Sequence, residues 1–465
     1  MDNSCQPGAL TTCAFSSPEI NVTSAQARFQ SGSDLPISLS APVGAFYAWR
    51  VRACDGAARC SSYSAPAYLH VGRTPQDLNG DGFADALVRS GVIQAGAELV
   101  EVYFGGASFN PQVDLRISLP TGAYSLRHVG DINGDGFGDL ALIANTFQVC
   151  GSDGGYPQIL FGGTDVAALP VQNLCTAAGS PSVTFQLGLT GDVDGDGFAD
   201  LGLTREFSNS RFVILRGGVA VVGVPEVDID ITLEGAVGTY PHVIGDRTFD
   251  GAGDFNRDGY ADVFVSGRGI APAFLRTRLF LGARALPRSM AGSFDFSVES
   301  PEANSPLVTR IGDLNQDGRE DWAFGIGVGG TVGGRVALLM GAAAAPTQFS
   351  RVVQLSAPLV SLSRSIDFDR DGQGEVFVAP SAALLLLRNT GGLVETPTGS
   401  LLNASARLGS ADHNGDGRED LLLQSTGSGN SSVRWVAAAA SFTVTPISLL
   451  PFDAVSSSAV RNIVY

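Results

Sequence analysis

Short apolar runs that end in glycine recur along most of the chain, and polar segments rich in Asp, Asn and Gly separate them. The clearest runs are VEVYFGGAS at 100–108, QILFGGTD at 158–165, FVILRGGVA at 212–220, RLFLGARA at 278–285 and VALLMGAA at 336–343. Their length and composition are typical of buried β-strands, and no useful length of chain shows helical periodicity. With 59 glycines in 465 residues, the chain is expected to be all-β and rich in turns.

A nine-residue polar motif accompanies these runs and occurs seven times, at intervals of 45 to 62 residues. The copies are loop 1 (DLNGDGFAD, 77–85), loop 2 (DINGDGFGD, 131–139), loop 3 (DVDGDGFAD, 192–200), loop 4 (DFNRDGYAD, 254–262), loop 5 (DLNQDGRED, 313–321), loop 6 (DFDRDGQGE, 367–375) and loop 7 (DHNGDGRED, 412–420). Such spacing indicates a structural repeat with connections of variable length. Each unit has room for four short strands, so the sequence predicts a seven-bladed β-propeller.

The residue types within each loop point to a cation site. Positions 1, 3, 5 and 9 are acidic or amide residues, position 6 is glycine, and position 7 can offer a backbone carbonyl. An all-oxygen set of this kind suits calcium better than magnesium or zinc, which predicts about seven calcium ions per chain. The candidate ligands are Asp77, Asn79, Asp81, Asp85, Asp131, Asn133, Asp135, Asp139, Asp192, Asp194, Asp196, Asp200, Asp254, Asn256, Asp258, Asp262, Asp313, Asn315, Asp317, Asp321, Asp367, Asp369, Asp371, Glu375, Asp412, Asn414, Asp416 and Asp420.

The loops have two other interpretations, an EF-hand and a simple turn. An EF-hand requires a bidentate Glu at position 12, but position 12 is apolar in all seven copies (Val88, Leu142, Leu203, Val265, Phe324, Val378 and Leu423). Simple turns also favour Asp, Asn and Gly. Seven copies that each keep three or four carboxylates are hard to explain as turns alone, because unneutralised carboxylates repel one another.

The acidity of the chain follows from these loops. Half of the 46 acidic residues occupy the candidate ligand positions, and seven calcium ions would offset most of the formal net charge of −17. The sequence contains no basic run, so nucleic-acid binding is not expected. No apolar run is long enough to span a membrane as a helix.

The loops together with the downstream FGG strands resemble the FG-GAP repeat, also called the VCBS-type repeat, of integrin-α-like seven-bladed propellers. The resemblance covers about 69–465, although the strand motif fades in the sixth and seventh units (ALLLLRNTGG and SVRWVAAAA). It implies that the loop residues bind calcium structurally and that partners are bound by loops elsewhere on the disc.

The last residues suggest how such a ring would close. The segment SSAVRNIVY resembles the strand SLRHVGD that leads into loop 2, but no metal loop follows it. We therefore expect Ala459 to Tyr465 to supply the inner strand of the first blade and so to remove an open sheet edge.

Residues 1–68 precede the repeats and read differently. The stretch from Ala45 to Arg73 alternates apolar and polar residues and predicts two strands joined by a Cys-bounded turn. It resembles the last strands of a fibronectin type III-like module; a small β cap is the alternative. The former implies that the chain is part of a longer polypeptide with other domains upstream.

The six cysteines lie in local pairs, which predicts disulfides between Cys5 and Cys13, Cys54 and Cys60, and Cys150 and Cys175. Isolated buried thiols are the alternative. Disulfides and calcium both favour an extracellular or cell-surface location. No signal peptide is recognisable at the start of the chain.

Three functions are compatible with the sequence. The favoured one is a calcium-stabilised extracellular adhesion or recognition propeller, bacterial in its composition, that binds a protein or glycan and is not an enzyme. A lyase or hydrolase acting on polysaccharide, with its site at the propeller axis, is the alternative, and a structural spacer is the third. None of the four histidines has a Ser or Cys partner at a motif spacing.

Overall fold

The structure is a computed structural model. It describes residues 15, 46–52, 54, 59–64, 67–70, 74–94, 97–110, 112–119, 124–144, 156–166, 169–175, 184–206, 211–230, 249–270, 273–286, 294–299, 307–315, 317–326, 334–343, 348–355, 359–366, 374–380, 385–389, 393–397, 406–416, 418–426, 431–437, 447–448 and 462–464. These residues form β-strands, turns and loops without an α-helix, so none of them provides a helix long and apolar enough to cross a membrane.

Within these described residues, thirty strands form seven four-stranded antiparallel sheets and one two-stranded sheet. The two-stranded sheet pairs β1 (Phe46–Trp49) with β2 (Ala67–His70). Each four-stranded sheet is numbered here by the loop that it carries, and its strands are given from the inside outwards.

Sheet 1 contains β30 (Asn462–Val464), β3 (Ala86–Gln94), β4 (Ala97–Tyr103) and β5 (Leu115–Leu119). Sheet 2 contains β6 (Tyr124–Gly130), β7 (Asp139–Ala144), β8 (Tyr156–Leu160) and β9 (Val171–Asn173). Sheet 3 contains β10 (Thr184–Gly191), β11 (Asp200–Glu206), β12 (Arg211–Leu215) and β13 (Val227–Asp230). Sheet 4 contains β14 (Phe249–Gly253), β15 (Asp262–Ile270), β16 (Ala273–Phe280) and β17 (Phe294–Glu299).

Sheet 5 contains β18 (Leu307–Gly312), β19 (Asp321–Ile326), β20 (Arg335–Leu339) and β21 (Arg351–Gln354). Sheet 6 contains β22 (Leu359–Ile366), β23 (Glu375–Pro380), β24 (Leu385–Asn389) and β25 (Leu393–Pro397). Sheet 7 contains β26 (Ala406–Ala411), β27 (Asp420–Thr426), β28 (Ser431–Val436) and β29 (Ile447–Ser448).

The innermost strands of the sheets arrange them in a ring. β6, β10, β14, β18, β22 and β26 each contact the next in that order, β26 contacts β30, and β30 contacts β6. Four-stranded antiparallel sheets packed around an axis are the architecture of a β-propeller. The prediction of an all-β propeller fold is therefore confirmed.

The two ends of the propeller sequence meet in sheet 1. β30 pairs antiparallel with β3, which places Val464 opposite Leu87 and Asn462 opposite Arg89. The prediction that the C-terminal segment supplies the inner strand of the first sheet is confirmed for residues 462–464. The rest of the segment from Ala459 to Tyr465 lies outside the described residues.

The core lies between neighbouring sheets. Ala141, Ile143 and Ile159 of sheet 2 pack against Leu201 and Leu203 of sheet 3, and all five are buried. The middle strands of a propeller blade are covered on both faces, which explains why β7 is apolar and buried along almost its whole length. The same kind of packing occurs where sheet 7 meets sheet 1.

The segment before the repeats forms the predicted pair of strands. Phe46 lies opposite His70 and Trp49 lies opposite Ala67 in the β1–β2 register. A disulfide joins Cys54 and Cys60 between these strands, as predicted. Cys175 is also disulfide-bonded, whereas Cys5, Cys13 and Cys150 lie outside the described residues.

Candidate metal-binding loops

In sheets 2 to 7 the acidic loop lies between the first and second strands, and in sheet 1 loop 1 leads directly into the second strand, β3; the described parts of the loops share one backbone plan. Loops 1 to 5 and 7 are described except for residues 316 and 417. In loop 6, residues 367–373 lie outside the described part of the chain, so the predicted ligands Asp367, Asp369 and Asp371 have no described position. Glu375, at position 9 of loop 6, is described and buried.

The aspartate at position 1 folds the loop around its carboxylate. In loop 1, Oδ1 of Asp77 accepts hydrogen bonds from the backbone N–H groups of Gly80 (2.6 Å) and Asp81 (3.2 Å), and Oδ2 accepts one from Gly82 (2.9 Å). Loops 2 and 3 repeat all three bonds. Gly80 and Gly82 have φ angles of +75° and +94°, which explains the glycines at positions 4 and 6.

The carboxylate at position 9 joins the loop to the strand that precedes the glycine turn. In loop 2, Oδ2 of Asp139 accepts from the N–H of Ile132 (2.8 Å), and Oδ1 accepts from the N–H of Gly162 (2.9 Å). Loops 1, 3, 4 and 5 make the equivalent pair of bonds. All seven position-9 residues are at most 2% exposed. Sequence reasoning assigned these residues only a ligand role and missed this backbone role.

Positions 3 and 5 lie closer to the solvent. In loop 1, the amide Nδ2 of Asn79 donates to Oδ2 of Asp81 (2.9 Å), and the N–H of Phe83 donates to Oδ1 of Asp81 (3.0 Å). The same Asn-to-Asp bond occurs in loops 2, 4 and 5. Position 9 is thus buried in all seven loops, position 1 is buried in loop 1 and half-buried in the other described loops, and positions 3 and 5 form a half-buried or exposed mouth, except for the buried Asp194.

Loop 3 brings carboxylates together most closely. One oxygen from each of Asp192, Asp194 and Asp200 lies within 4.8 Å of the others. This loop carries Asp194 where five of the seven loops carry asparagine. An oxygen cluster of this size is suited to a hard divalent cation.

Burial raises the pKa of the loop carboxyls. The pKa of Asp131 rises to about 6 and that of Asp139 to about 8, first because of burial and further because of neighbouring carboxylates, while backbone hydrogen bonds act in the opposite direction. Burial likewise raises the pKa of Asp262 and of Asp321 to about 7. Ionised, these groups carry a desolvation penalty that a bound cation would offset.

These shifts predict an inverted pH dependence for the protein freed of divalent cations by dialysis. An unfolded Asp has a pKa of about 3.9, so the folded chain holds protons on Asp139, Asp262 and Asp321 that the unfolded chain releases. This stabilisation is fully present below about pH 4 and is lost as pH rises through about 7 to 8. We expect the melting temperature of the metal-free protein to rise as pH falls from 8.5 to 5.5; a melting temperature that falls over this range would contradict the assignment.

Neighbouring loops interlock through glycine and aromatic residues. A Cβ atom placed on Gly80 of loop 1 would lie 2.5 Å from the ring of Phe137 in loop 2, so only glycine fits there. The equivalent contacts join Gly134 to Phe198, Gly195 to Tyr260, and Gly415 to Phe83. The last of these links loop 7 to loop 1.

Backbone hydrogen bonds follow the same order around the ring. Gly138 N–H donates to the carbonyl of Asp77 (2.6 Å), and Gly163 N–H donates to the carbonyl of Leu78 (2.8 Å). Between loops 7 and 1, Ala84 N–H donates to the carbonyl of Asp412 (3.1 Å). The second glycine of the FGG motif therefore serves as a donor to the preceding loop.

The buried histidine of loop 7 belongs to this seam. Nδ1 of His413 lies 2.8 Å from the carbonyl oxygen of Ala84, and its ring packs 5.5 Å from the ring of Phe109. Burial lowers the pKa of His413 to about 4, which favours the neutral ring. In that form the Nδ1–H group donates to Ala84, which gives His413 a structural place between sheets 7 and 1.

No protein-family model and no curated protein sequence matches this chain. Among solved structures, the chain is similar to BBS1N from its complex with ARL6DN, at 12% identity over 83% of this chain and 97% of that one, with a TM-score of 0.40. It is also similar to the Dos1 propeller, at 8% identity over 70% of each chain and a TM-score of 0.40. The rhamnogalacturonan lyase YesW is similar at 12% identity over 77% of this chain and 69% of that one, again with a TM-score of 0.40. Likenesses at this level support no argument about activity or partner.

Proposed function

We propose that the chain is a calcium-stabilised recognition propeller of seven blades, of the FG-GAP or VCBS type, that acts outside the cell. The observation that carries the proposal is the repetition of one buried carboxylate loop around a closed ring of sheets. The blades correspond to the chain from loop 1 to β30, and β1 and β2 belong to a separate, fibronectin-like unit.

Calcium is the ion that the loop chemistry favours. The candidate ligands are carboxylate and amide oxygens, and calcium accepts six to eight such oxygens in flexible geometry. Each oxygen of Asp139 already accepts one backbone N–H, but a carboxylate oxygen has a second lone pair that can face a cation. The shared role explains why position 9 keeps a carboxylate in all seven loops.

A scaffold role for the ions favours recognition over catalysis. The buried carboxylates hold loop backbone and link neighbouring strands, which leaves little freedom for them to transfer protons to a substrate. The Cys54–Cys60 disulfide supports an oxidising location, and millimolar calcium is available there. The partner is a protein or a glycan bound by connections away from these loops.

Two measurements on the purified chain test this proposal. Metal analysis after dialysis against millimolar calcium should find about seven calcium ions per chain. Screening against glycan and protein arrays should find binding without turnover of the bound glycan. Fewer than two ions per chain would overturn the calcium assignment, whereas cleavage of a polysaccharide would replace recognition by an enzymatic role.

A further inference from the structure

One arginine lies against the carboxylates of loop 3. A side-chain nitrogen of Arg216 (Nη2) is paired with Oδ2 of Asp194, and its Nε lies 4.0 Å from Oδ2 of Asp196. The Arg216 side chain is 44% exposed, whereas that of Asp194 is 2% exposed. The guanidinium therefore covers the mouth of the loop from the solvent side.

Every repeat has a residue at the sheet position of Arg216, opposite position 9 of its loop. Leu201 pairs with Leu215 in the β11–β12 register, which places Arg216 opposite Asp200 at position 9. In sheet 6, Glu375 at position 9 pairs with Arg388. The corresponding residues of the other five sheets are apolar: Phe104, Phe161, Leu281, Met340 and Ala437.

The two repeats with an arginine at this position are also the two that lack asparagine at position 3 of the loop. Loops 3 and 6 carry Asp194 and Asp369 there, and the other five loops carry asparagine. In loops 1, 2 and 4, the asparagine Nδ2 donates to the position-5 carboxylate at 2.9 Å. An aspartate cannot make that bond, and in loop 3 the guanidinium of Arg216 supplies the positive group instead.

The positive charge of the arginine balances the negative charge of the extra aspartate. Five loops have three carboxylates at the ligand positions and an apolar residue opposite position 9, whereas loops 3 and 6 have four carboxylates and one arginine. Summed over the ligand positions and the residue opposite position 9, the formal charge is −3 in every repeat; Arg257 and Arg370 add one positive charge at position 4 of loops 4 and 6. The arginine thus compensates for the added carboxylate within its own repeat.

We infer that Arg216 is a built-in counter-cation that competes with calcium for the mouth of loop 3. The inference rests on the proposed calcium binding. Loop 3 is therefore a weaker calcium site, and it keeps its shape at low calcium because the guanidinium is paired with Asp194 at position 3 and lies near Asp196 at position 5.

The test variant is Arg216→Met, because methionine occurs naturally at the equivalent position, Met340, of sheet 5. A second variant on sheet 3 serves as its control. Removal of the guanidinium leaves four uncompensated carboxylates, so we expect calcium affinity at loop 3 to rise about tenfold. Competition with a chromophoric chelator should show one calcium site that moves from the weaker class in the parent chain to the stronger class in the variant. Without calcium, the variant should melt about 1 to 3 °C lower than the parent.

Arg211→Met is the matched control. Arg211 is also on sheet 3 and pairs with Asp228, away from loop 3, so its loss should leave the calcium sites unchanged. The double variant Arg216→Met, Asp194→Asn should have the stability of the parent and a loop 3 of the stronger class. Arg216→Gln, which removes the charge but keeps a polar side chain, provides the same test if Arg216→Met does not fold.

The outcomes separate this inference from the proposed function. If the parent chain binds no calcium, the proposed function fails and the inference fails with it. If the parent binds about seven ions and Arg216→Met leaves the affinities unchanged or weakens them, the inference alone is wrong, and Arg216 forms only a surface ion pair.

Discussion

Removal of calcium is expected to lower the melting temperature of this protein by about 5 to 15 °C. Ligands that bind only the folded state stabilise it by RT ln(1 + [L]/Kd). For sites with the weak affinity of extracellular modules, millimolar calcium adds roughly 0.4 to 1.4 kcal/mol per loop. Over seven loops the sum is several kcal/mol, which is comparable to the whole stability of a typical domain.

The measurement is a pair of thermal melts on one sample, in millimolar calcium and in excess chelator at the same ionic strength. Re-addition of calcium should restore the higher melting temperature, and magnesium at the same concentration should restore less, because it demands a stricter octahedral geometry. Identical melts with and without chelator would mean that the loops are turns, and that the acidity of the chain serves another purpose.

The first glycine of an FGG motif is expected to be indispensable, and the second replaceable. A Cβ on Gly162 would lie 2.3 Å from the carbonyl oxygen of Gly138 and 2.9 Å from that of Leu78, both of which are backbone atoms. Gly162→Ala must therefore push loops 1 and 2 away from the strand end. We expect a loss of about 3 to 5 kcal/mol in the free energy of unfolding.

Gly163→Ala is the control for this variant. A Cβ on Gly163 would meet nothing within 4 Å, and its N–H bond to Leu78 would remain. The fourth and fifth repeats already carry Ala283 and Ala342 at this place. Chemical unfolding in saturating calcium should show Gly163→Ala within about 0.5 kcal/mol of the parent. Equal losses for the two variants would contradict the assigned packing.

The fold could be predicted because the sequence of each repeat contains the pattern of its own four strands. The spacing of seven polar loops and the glycine-terminated apolar runs define a four-stranded unit, and the unmatched last strand defines the closure at β30. These features are local to one repeat or one terminus. The hydrophobic pattern was therefore sufficient to predict the sheets.

Contacts between repeats were harder to predict, because spacing within one repeat does not reveal them. The fit of Gly80 beneath Phe137 is such a contact. A signal was present in the sequence: glycine at position 4 of one loop accompanies an aromatic residue at position 7 of the next, whereas Arg257 is followed by Arg319. Arg257 has a φ of +62°, in the region where loops 1, 2, 3 and 7 use glycine.

The role of position 9 was missed for a similar reason. Residue type alone identified Asp139 as a ligand, but its bond to Gly162 spans 23 residues and depends on the pairing of β7 with β8. A carboxylate that organises backbone is indistinguishable in sequence from one that only binds an ion. The burial of the position-9 residues makes the difference visible.

The pairing of β30 with β3 has to wait until the whole chain between these two strands has been synthesised. The ribosome makes β3 before β30, so the inner edge of sheet 1 stays unpaired while the six intervening sheets emerge. An unpaired edge is a site for aggregation in a nascent chain. Proteolytic removal of β30 would reopen the same edge in the folded protein.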